Sequence, residues 1–570
     1  FLMKISVKKV FYPKIITCLK NYSKERFAAD LMAGVIVGIV AIPLAIAFGI
    51  ASGVGPTEGL VTAIIAGFLI SLLGGSKVQI GGPTGAFIVV IYGIIQQHGV
   101  AGLAIATIMA GVLLVLMGAF RLGNVIKFVP YPVVVGFTAG IALTIFSTQM
   151  NDLFGLGLTN VPANFIDKWI CYFQNVSQVN WWALAIGITT LLIIIFTPKI
   201  SKKIPGSLVA IIVITVIVWA MKRFGGIESI RTIGDLYELP TGIPAPKMPR
   251  LNFAEGQTLF GLMQLLAPSA FTIAMLGAIE SLLSAMVADG VIGDKHNSNT
   301  ELIGQGIANI VVPFFGGIPA TGAIARTMTN INNGGRTPVA GLIHAGVLLL
   351  VLLFLGNLVG YIPMACLAGV LIMVAYNMSG WRTIVSLSKN PKSDFAVMLT
   401  TFVLTVVFDL TIAIEVGLLL AIVLFLHRTS ESTSIKVFYD EIDPSEGTDI
   451  ALNEQKLTIA DGIEVYEIDG PYFFGIANKF DEIMMQTGGE TPQVRVIRMR
   501  KVPFIDSTGL HNLENLCRQS QREGITVVLS GVNPSVRDTL IKAGFKEIIG
   551  KENICPHINA ALKRAESLLK

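Results

Sequence analysis

Apolar runs free of charge dominate the chain up to about residue 428. Residues 31–57, 78–120, 128–151, 169–198, 204–221, 256–279, 302–325 and 337–381 contain no Asp, Glu, Lys or Arg. A membrane-crossing helix needs about 20 consecutive apolar residues, so 78–120 and 337–381 must each hold at least two. Breaking the runs at Gly/Pro clusters predicts about fourteen segments, starting near residues 31, 57, 83, 100, 130, 181, 205, 263, 300, 320, 339, 360, 395 and 411. The 395–427 stretch must supply two short spans around Asp409 and Glu415, which are expected near a turn at the outer surface.

Beyond Arg428 the period changes. IEVYEI (463–468) and VRVIRM (494–499) alternate as strands do, and ITVVLS (525–530) reads as a buried strand. Amphipathic stretches near 478–486, 508–523 and 534–543 follow them. Strands alternating with helices predict a small α/β domain over 458–570. Residues 1–29 then form an N-terminal segment, 30–428 the membrane domain, and 429–457 a linker leading into the α/β domain.

Composition agrees with a membrane solvent. The 570 residues are 53% hydrophobic and 14% charged, against roughly 25% charged in soluble proteins, and mean hydropathy is +0.70. A net charge of +5 gives no reason to expect nucleic acid, and five scattered cysteines form neither a metal-ligand spacing nor a disulfide framework. No nucleophile–base pair suggests an enzyme. Lys4, Lys8, Lys9, Lys14, Lys20, Lys24 and Arg26 run straight into a span too long for a cleaved leader. This cluster predicts cytoplasmic termini on an inner membrane. The basic loop 222–255 is the one exception to that charge rule, falling outside despite five cations.

Two pieces of the membrane domain resemble one another. Residues 81–86 read GGPTGA and 316–323 read GGIPATGA, each opening a short hydrophobic stretch. Short, Gly/Pro-interrupted segments in corresponding positions of two halves point to a transporter's binding site. Glycine and proline break the helix at membrane depth, which is tolerated where the backbone lines a cavity or is buried in protein. Each half-helix then directs its unpaired N–H groups into that space, and two such ends make an anion site. The plainer reading of either motif alone is close helix packing through small residues. Thr84, Gly85, Ala86, Phe87, Thr321, Gly322 and Ala323 are the candidate anion-binding residues. Arg326, about two turns along the second segment, adds a cation that either meets substrate or neutralises Glu280.

Glu280 lies mid-span, with Ser284 one turn later on the same face. Low dielectric penalises the charged carboxylate, so it can exchange a proton; with Ser284 and carbonyls it could instead hold Na⁺. Either cation would be co-transported, and no resident cofactor is implied. Gln305 and Asn309 read as helix–helix hydrogen-bonding residues, and His344 as a satisfied packing residue. In the α/β domain, Asp506-Ser507-Thr508 at a helix start reads as ordinary N-capping.

The chain resembles the sulfate permease (SulP) family from about residue 25 onward. The resemblance rests on AIPLAIAFGIASGVGPTEGL (41–60), GGPTGAF (81–87), FVPYPVVVGFTAGIAL (128–143), ESLLSAMVAD (280–289) and ATGAIARTMTNINNGGRTPVAGLIHA (320–345). FIDSTGL (504–510) and GVNPSVRDTLIKAGF (531–545) add the pattern of a STAS domain. The resemblance implies two inverted seven-span repeats, a mobile core beside a gate, and homodimers. It implies elevator-like transport of a small anion drawn from sulfate, bicarbonate, chloride or dicarboxylates. Leu44 after Pro43 is closer to the bicarbonate and dicarboxylate branches, where sodium-dependent members carry an acidic residue and a hydroxyl four apart, as at Glu280 and Ser284; they use aspartate there, so H⁺ and Na⁺ both stay open. Ser507 matches a residue phosphorylated in related bacterial regulators, so the resemblance makes Asp506 and Ser507 candidate regulatory residues, with phosphorylation of Ser507 and a cytoplasmic regulator of the STAS domain as expectations. A passive channel, or a STAS-based sensor with vestigial transport, is the competing reading.

Overall fold

In a computed structural model of the chain, the described residues are 11–20, 22–124, 129–159, 161–162, 164–200, 205–237, 242, 244–246, 258–389, 391–408, 410–442, 457–476 and 492–569. Asp409, the amphipathic stretch at 478–486, residues 443–456 of the 429–457 linker and part of the 222–255 loop lie outside them. The chain divides into two compact units, Phe1–Ala421 and Ile422–Lys570.

The first unit is helical. Ten helices among the described residues are long and apolar enough to cross a membrane. Lys24–Ala51 opens on Ser23, whose hydroxyl accepts from Arg26 N at 3.2 Å, and Pro56 occupies the first turn of Pro56–Leu73. The segments expected near 83 and 100 are two arms of Ile88–Ala119, broken at Gly99 by φ 66° and ψ −174°. Ser298–Val311, Ile324–Asn332 and Lys392–Val407 begin close to other expected starts but are short. Small residues set the closest approaches. A methyl on Gly111 would meet Gly306 O of the facing helix at 2.7 Å, and one on Gly306 would meet Gly111 O at 2.6 Å.

Two extended pieces interrupt this helical unit, β1 (Gly81–Gly82) and β2 (Thr321–Gly322), paired antiparallel as Gly81↔Gly322 and Gly82↔Thr321.

In the second unit, β3 (Ser434–Phe438), β6 (Ile463–Asp469), β7 (Val494–Lys501), β8 (Thr526–Ser530) and β9 (Ile554–Cys555) form one sheet in the order β3-β6-β7-β8-β9. β3 is antiparallel to β6 and the other pairings are parallel. A small ladder, β4 (Glu441–Ile442) with β5 (Leu457–Thr458), stands apart. Ser507–Arg522 and Pro534–Lys542 are the expected helices after β7 and β8. Both faces of the sheet are covered, one by a cluster around Tyr466, Ile497 and Leu529, the other around Val465, Val496 and Val528. That double burial explains why β6 and β7 read as nearly continuous burial rather than alternation.

Candidate anion and cation site

Both Gly/Pro-interrupted segments meet at β1–β2. Past β1, Gly85–Phe87 forms a 3₁₀ turn that runs into the Ile88 helix; past β2, Ala323 caps Ile324–Asn332. Neither Thr84 nor Ala323 supplies a side-chain cap; Phe87 N donates to Thr84 O at 3.3 Å and Ile88 N to Gly85 O, and no side chain among the described residues caps the N–H groups ahead of them or those after Ala323.

The broken backbone is satisfied by the partner segment. Ala323 N donates to Ile80 O at 3.0 Å, Ile80 N to Thr327 Oγ1 at 3.1 Å, and Asn330 Nδ2 to Val78 O at 2.8 Å. Arg326 donates to Gly81 O at 3.5 Å and, through Nη2, to Pro83 O. The approach to β2 is held at Ile318, whose N donates to Thr62 Oγ1, and at Ala320, clasped in both directions by the Asn309 amide. Asn309 therefore fixes the second broken segment. Gln305 donates to Glu301 on its own helix at 2.8 Å, not to a neighbouring helix.

The Leu259–Ile292 helix presents one polar face to this junction. Gly277 O accepts from Thr321 Oγ1 at 2.9 Å, and Ser284 Oγ donates to Thr327 Oγ1 at 3.2 Å. Glu280 lies between them, beside the Thr84 hydroxyl and in the field of Arg326. Ser284 is thus engaged with Thr327 and not with the Glu280 carboxylate. Asp30 and Glu301, by contrast, accept from backbone N–H groups, Asp30 from Arg336 N and Thr337 N, Glu301 from Gly75 N and Ser76 N. Glu280 receives no backbone N–H among the described residues, which leaves it open to a proton or cation.

Arg326 lies in the first turn of its helix, nearer the start than the two turns expected, because the chain stays extended through Ala323. It makes no ion pair among the described residues; its hydrogen bonds go to carbonyls. Gly85 is covered by side chains from three helices: a methyl there would meet Met378 Sδ at 3.1 Å, Ile145 Cδ1 at 3.2 Å and Phe48 Cε1 at 3.5 Å. Ala86 and Phe87 are fully buried, and Phe87 packs toward Gly277. Sequence reading missed Thr327, Phe48 and Met378: a hydroxyl or an apolar side chain in such helices carries no signal of its own. His344 departs from expectation, since it is buried with neither ring nitrogen hydrogen-bonded. Glu415 is exposed on its helix.

In the second unit Asp506, not Ser507, caps the helix. Its carboxylate accepts from Gly509 N at 2.7 Å and from Phe474 N at 3.1 Å, which leaves Ser507 exposed in the first turn.

Comparison with known proteins gives a consistent result. Residues 27–401 match the Sulfate permease family and residues 454–561 the STAS domain. The chain is 42% identical over 539 residues to the putative sulfate transporter YvdB of Bacillus subtilis, covering 94% of this chain and 98% of that protein. It is 32% identical over 548 residues to the bicarbonate transporter BicA of Synechocystis, covering 94% of each. Among solved structures, the transmembrane domain of a cyanobacterial BicA aligns with TM-score 0.61 at 33% identity, over 70% of this chain and 98% of that one. The murine Slc26a9 anion transporter in its inward-facing state aligns with TM-score 0.86 at 20% identity, over 99% and 95%, a likeness of fold.

Proposed function

Because the chain belongs to the sulfate permease family, we propose that it is a secondary active transporter of a small anion, of the sulfate, bicarbonate, chloride or dicarboxylate class, driven by H⁺ or Na⁺. The observation that carries this reading is the Gly81↔Gly322 pairing, which brings two uncapped helix starts to one place with Arg326 behind them and Glu280 beside them. The anion sits between the N–H groups after Thr84 and after Ala323, where aligned peptide dipoles favour negative charge. The coupling cation, proton or Na⁺, is taken by Glu280 with the hydroxyls of Ser284 and Thr327 nearby. Alternating access then carries both charges together, in the elevator manner, as the junction moves with the helices that brace it. The N-terminal lysines put both termini on the cytoplasmic face of the inner membrane, and the STAS unit, with Ser507 exposed, is the contact for a cytoplasmic regulator.

The test is uptake of labelled sulfate, bicarbonate, chloride and a dicarboxylate in proteoliposomes, at several pH values and with or without Na⁺. Accumulation above equilibrium that depends on one cation gradient is expected. Flux that only dissipates the anion's own gradient would make the protein a passive channel.

A further inference from the structure

A polar cavity of about 350 Å³ lies in the helical unit at the face where the Lys24–Ala51 helix ends. Lys168, Arg231, Asp152 and Tyr172 line it. Lys168 is 2% exposed and Tyr172 6%. The Lys168 ammonium is neither ion-paired nor hydrogen-bonded among the described residues and meets only the Tyr92 ring face, 5.8 Å to its centroid. The Tyr172 hydroxyl is buried without a hydrogen-bond partner among the described residues. The Arg231 guanidinium rests against Gly157 and acts on Asp152 across the cavity, with no ion pair within 4 Å among the described residues.

The walls are built, not loose. Trp169 Nε1 donates to Ser147 Oγ at 3.1 Å, fixing the Phe165–Gln174 helix that carries Lys168 and Tyr172. Asn151 clasps Leu158 through both its amide atoms, and the Tyr92 hydroxyl donates to Val161 O at 2.8 Å. Burying an ammonium is costly unless it is paired, and here burial pushes Lys168 down to about 8. Two cations face one carboxylate, Asp152, so the lining is net positive when Lys168 is protonated. A cation ligand would meet the wrong sign.

We propose that this cavity is an outer anion subsite, which takes a small oxyanion between the Lys168 ammonium, the Arg231 guanidinium and the Tyr172 hydroxyl before it reaches the paired helix starts. Its place on a transport route rests on the anion-transport reading, but occupancy of the cavity can be read without transport.

The experiment labels Thr159→Cys on the cavity rim, which keeps Lys168, Arg231 and Tyr172, in the full chain, reconstituted in liposomes, with the five native cysteines replaced by serine. Two methanethiosulfonates are compared, one bearing a sulfonate and one a trimethylammonium. A positive cleft raises the local anion concentration by at least about tenfold, so the sulfonate reagent should react faster by about that factor. Lys168→Gln should bring the ratio close to one, and tens of millimolar sulfate or bicarbonate should slow labelling. The ratio should also fall above about pH 8 as Lys168 loses its proton. The other groups that face or bias the cavity are Tyr92, Asp152, Tyr172, Arg231 and Tyr237, with Glu58 acting on Tyr237. If Thr159→Cys does not fold, Leu236→Cys on the lining gives the same readout. A ratio of one or less, a ratio indifferent to Lys168→Gln, or labelling unprotected by either anion would overturn the proposal. Adding Arg326→Ala separates the two sites: labelling should keep its preference and protection in that background, whereas intact gradient-driven uptake would count against the central site alone.

Discussion

Arg326 is the residue on which both charge and geometry converge. Its guanidinium braces the carbonyls of Gly81 and Pro83 and remains the cation nearest the two helix starts. Arg326→Ala should weaken anion binding by about 2 kcal/mol, roughly thirtyfold, as charge-assisted contacts of this kind contribute, and should flatten the salt dependence of affinity. Calorimetric titration of the purified protein checks this, and wild-type affinity in the variant would reduce Arg326 to a brace. Arg326 and Glu280 were legible in the sequence because each is a charge inside an apolar run. Thr327 was not, although it receives both Ile80 N and Ser284 Oγ, because threonine in a helix is ordinary. His344 was misjudged for a related reason: sequence shows a lone histidine but not whether a partner reaches it.

At the scale of elements, the proposed site depends on two short extended pieces that pair although far apart in the sequence. A methyl on Gly322 would run into the Gln79 amide, and one on Gly82, where φ is 151°, into the Arg326 guanidinium. Gly322→Ala should therefore abolish transport, with an overpacking cost of about 1–3 kcal/mol. Gly346→Ala, where nothing lies within 4 Å of an added Cβ, should leave both uptake and thermal stability unchanged. Uptake and melting temperature measured on the pair of variants decide between a site-specific effect and a general intolerance of side chains. The helix starts were readable from charge-free runs and Gly/Pro clusters, since both are local signals. The β1–β2 register was not, because two-residue strands have no period to detect and their partner is set by tertiary packing. The Gly99 break was placed correctly as a boundary, since its non-helical φ and ψ divide the stretch into two helices.

For the whole molecule, the two units divide at Ala421/Ile422 while one helix, Leu410–Ser432, runs through the division. All candidate anion and cation residues belong to the first unit. Removing residues 437–570 should lower transport or its regulation yet leave anion affinity within about twofold, measured by the same titration. Complete loss of binding in a folded truncation would place the site elsewhere. Homodimers, expected from the family resemblance, should be trapped by cross-linking in membranes; recovery of monomer alone would remove that expectation. The α/β character of the second unit was legible from strand periodicity after Arg428, whereas β3 and β4 fell in a stretch read as linker because five and two residues are too few to show a pattern.

In the proposed mechanism, coupling of anion transport at the β1–β2 junction turns on Glu280, the carboxylate beside Thr84 that no backbone N–H holds among the described residues. Glu280→Gln keeps the shape and fixes the side chain neutral, so the coupling cation can no longer be taken up and released. The direct measurement is anion accumulation by this variant in proteoliposomes against an imposed H⁺ or Na⁺ gradient, alongside exchange of the same anion with no gradient. Lost accumulation with preserved exchange is the expected result. Accumulation at the wild-type level would contradict the assignment, leaving Glu280 a packed polar residue and the coupling to be found elsewhere.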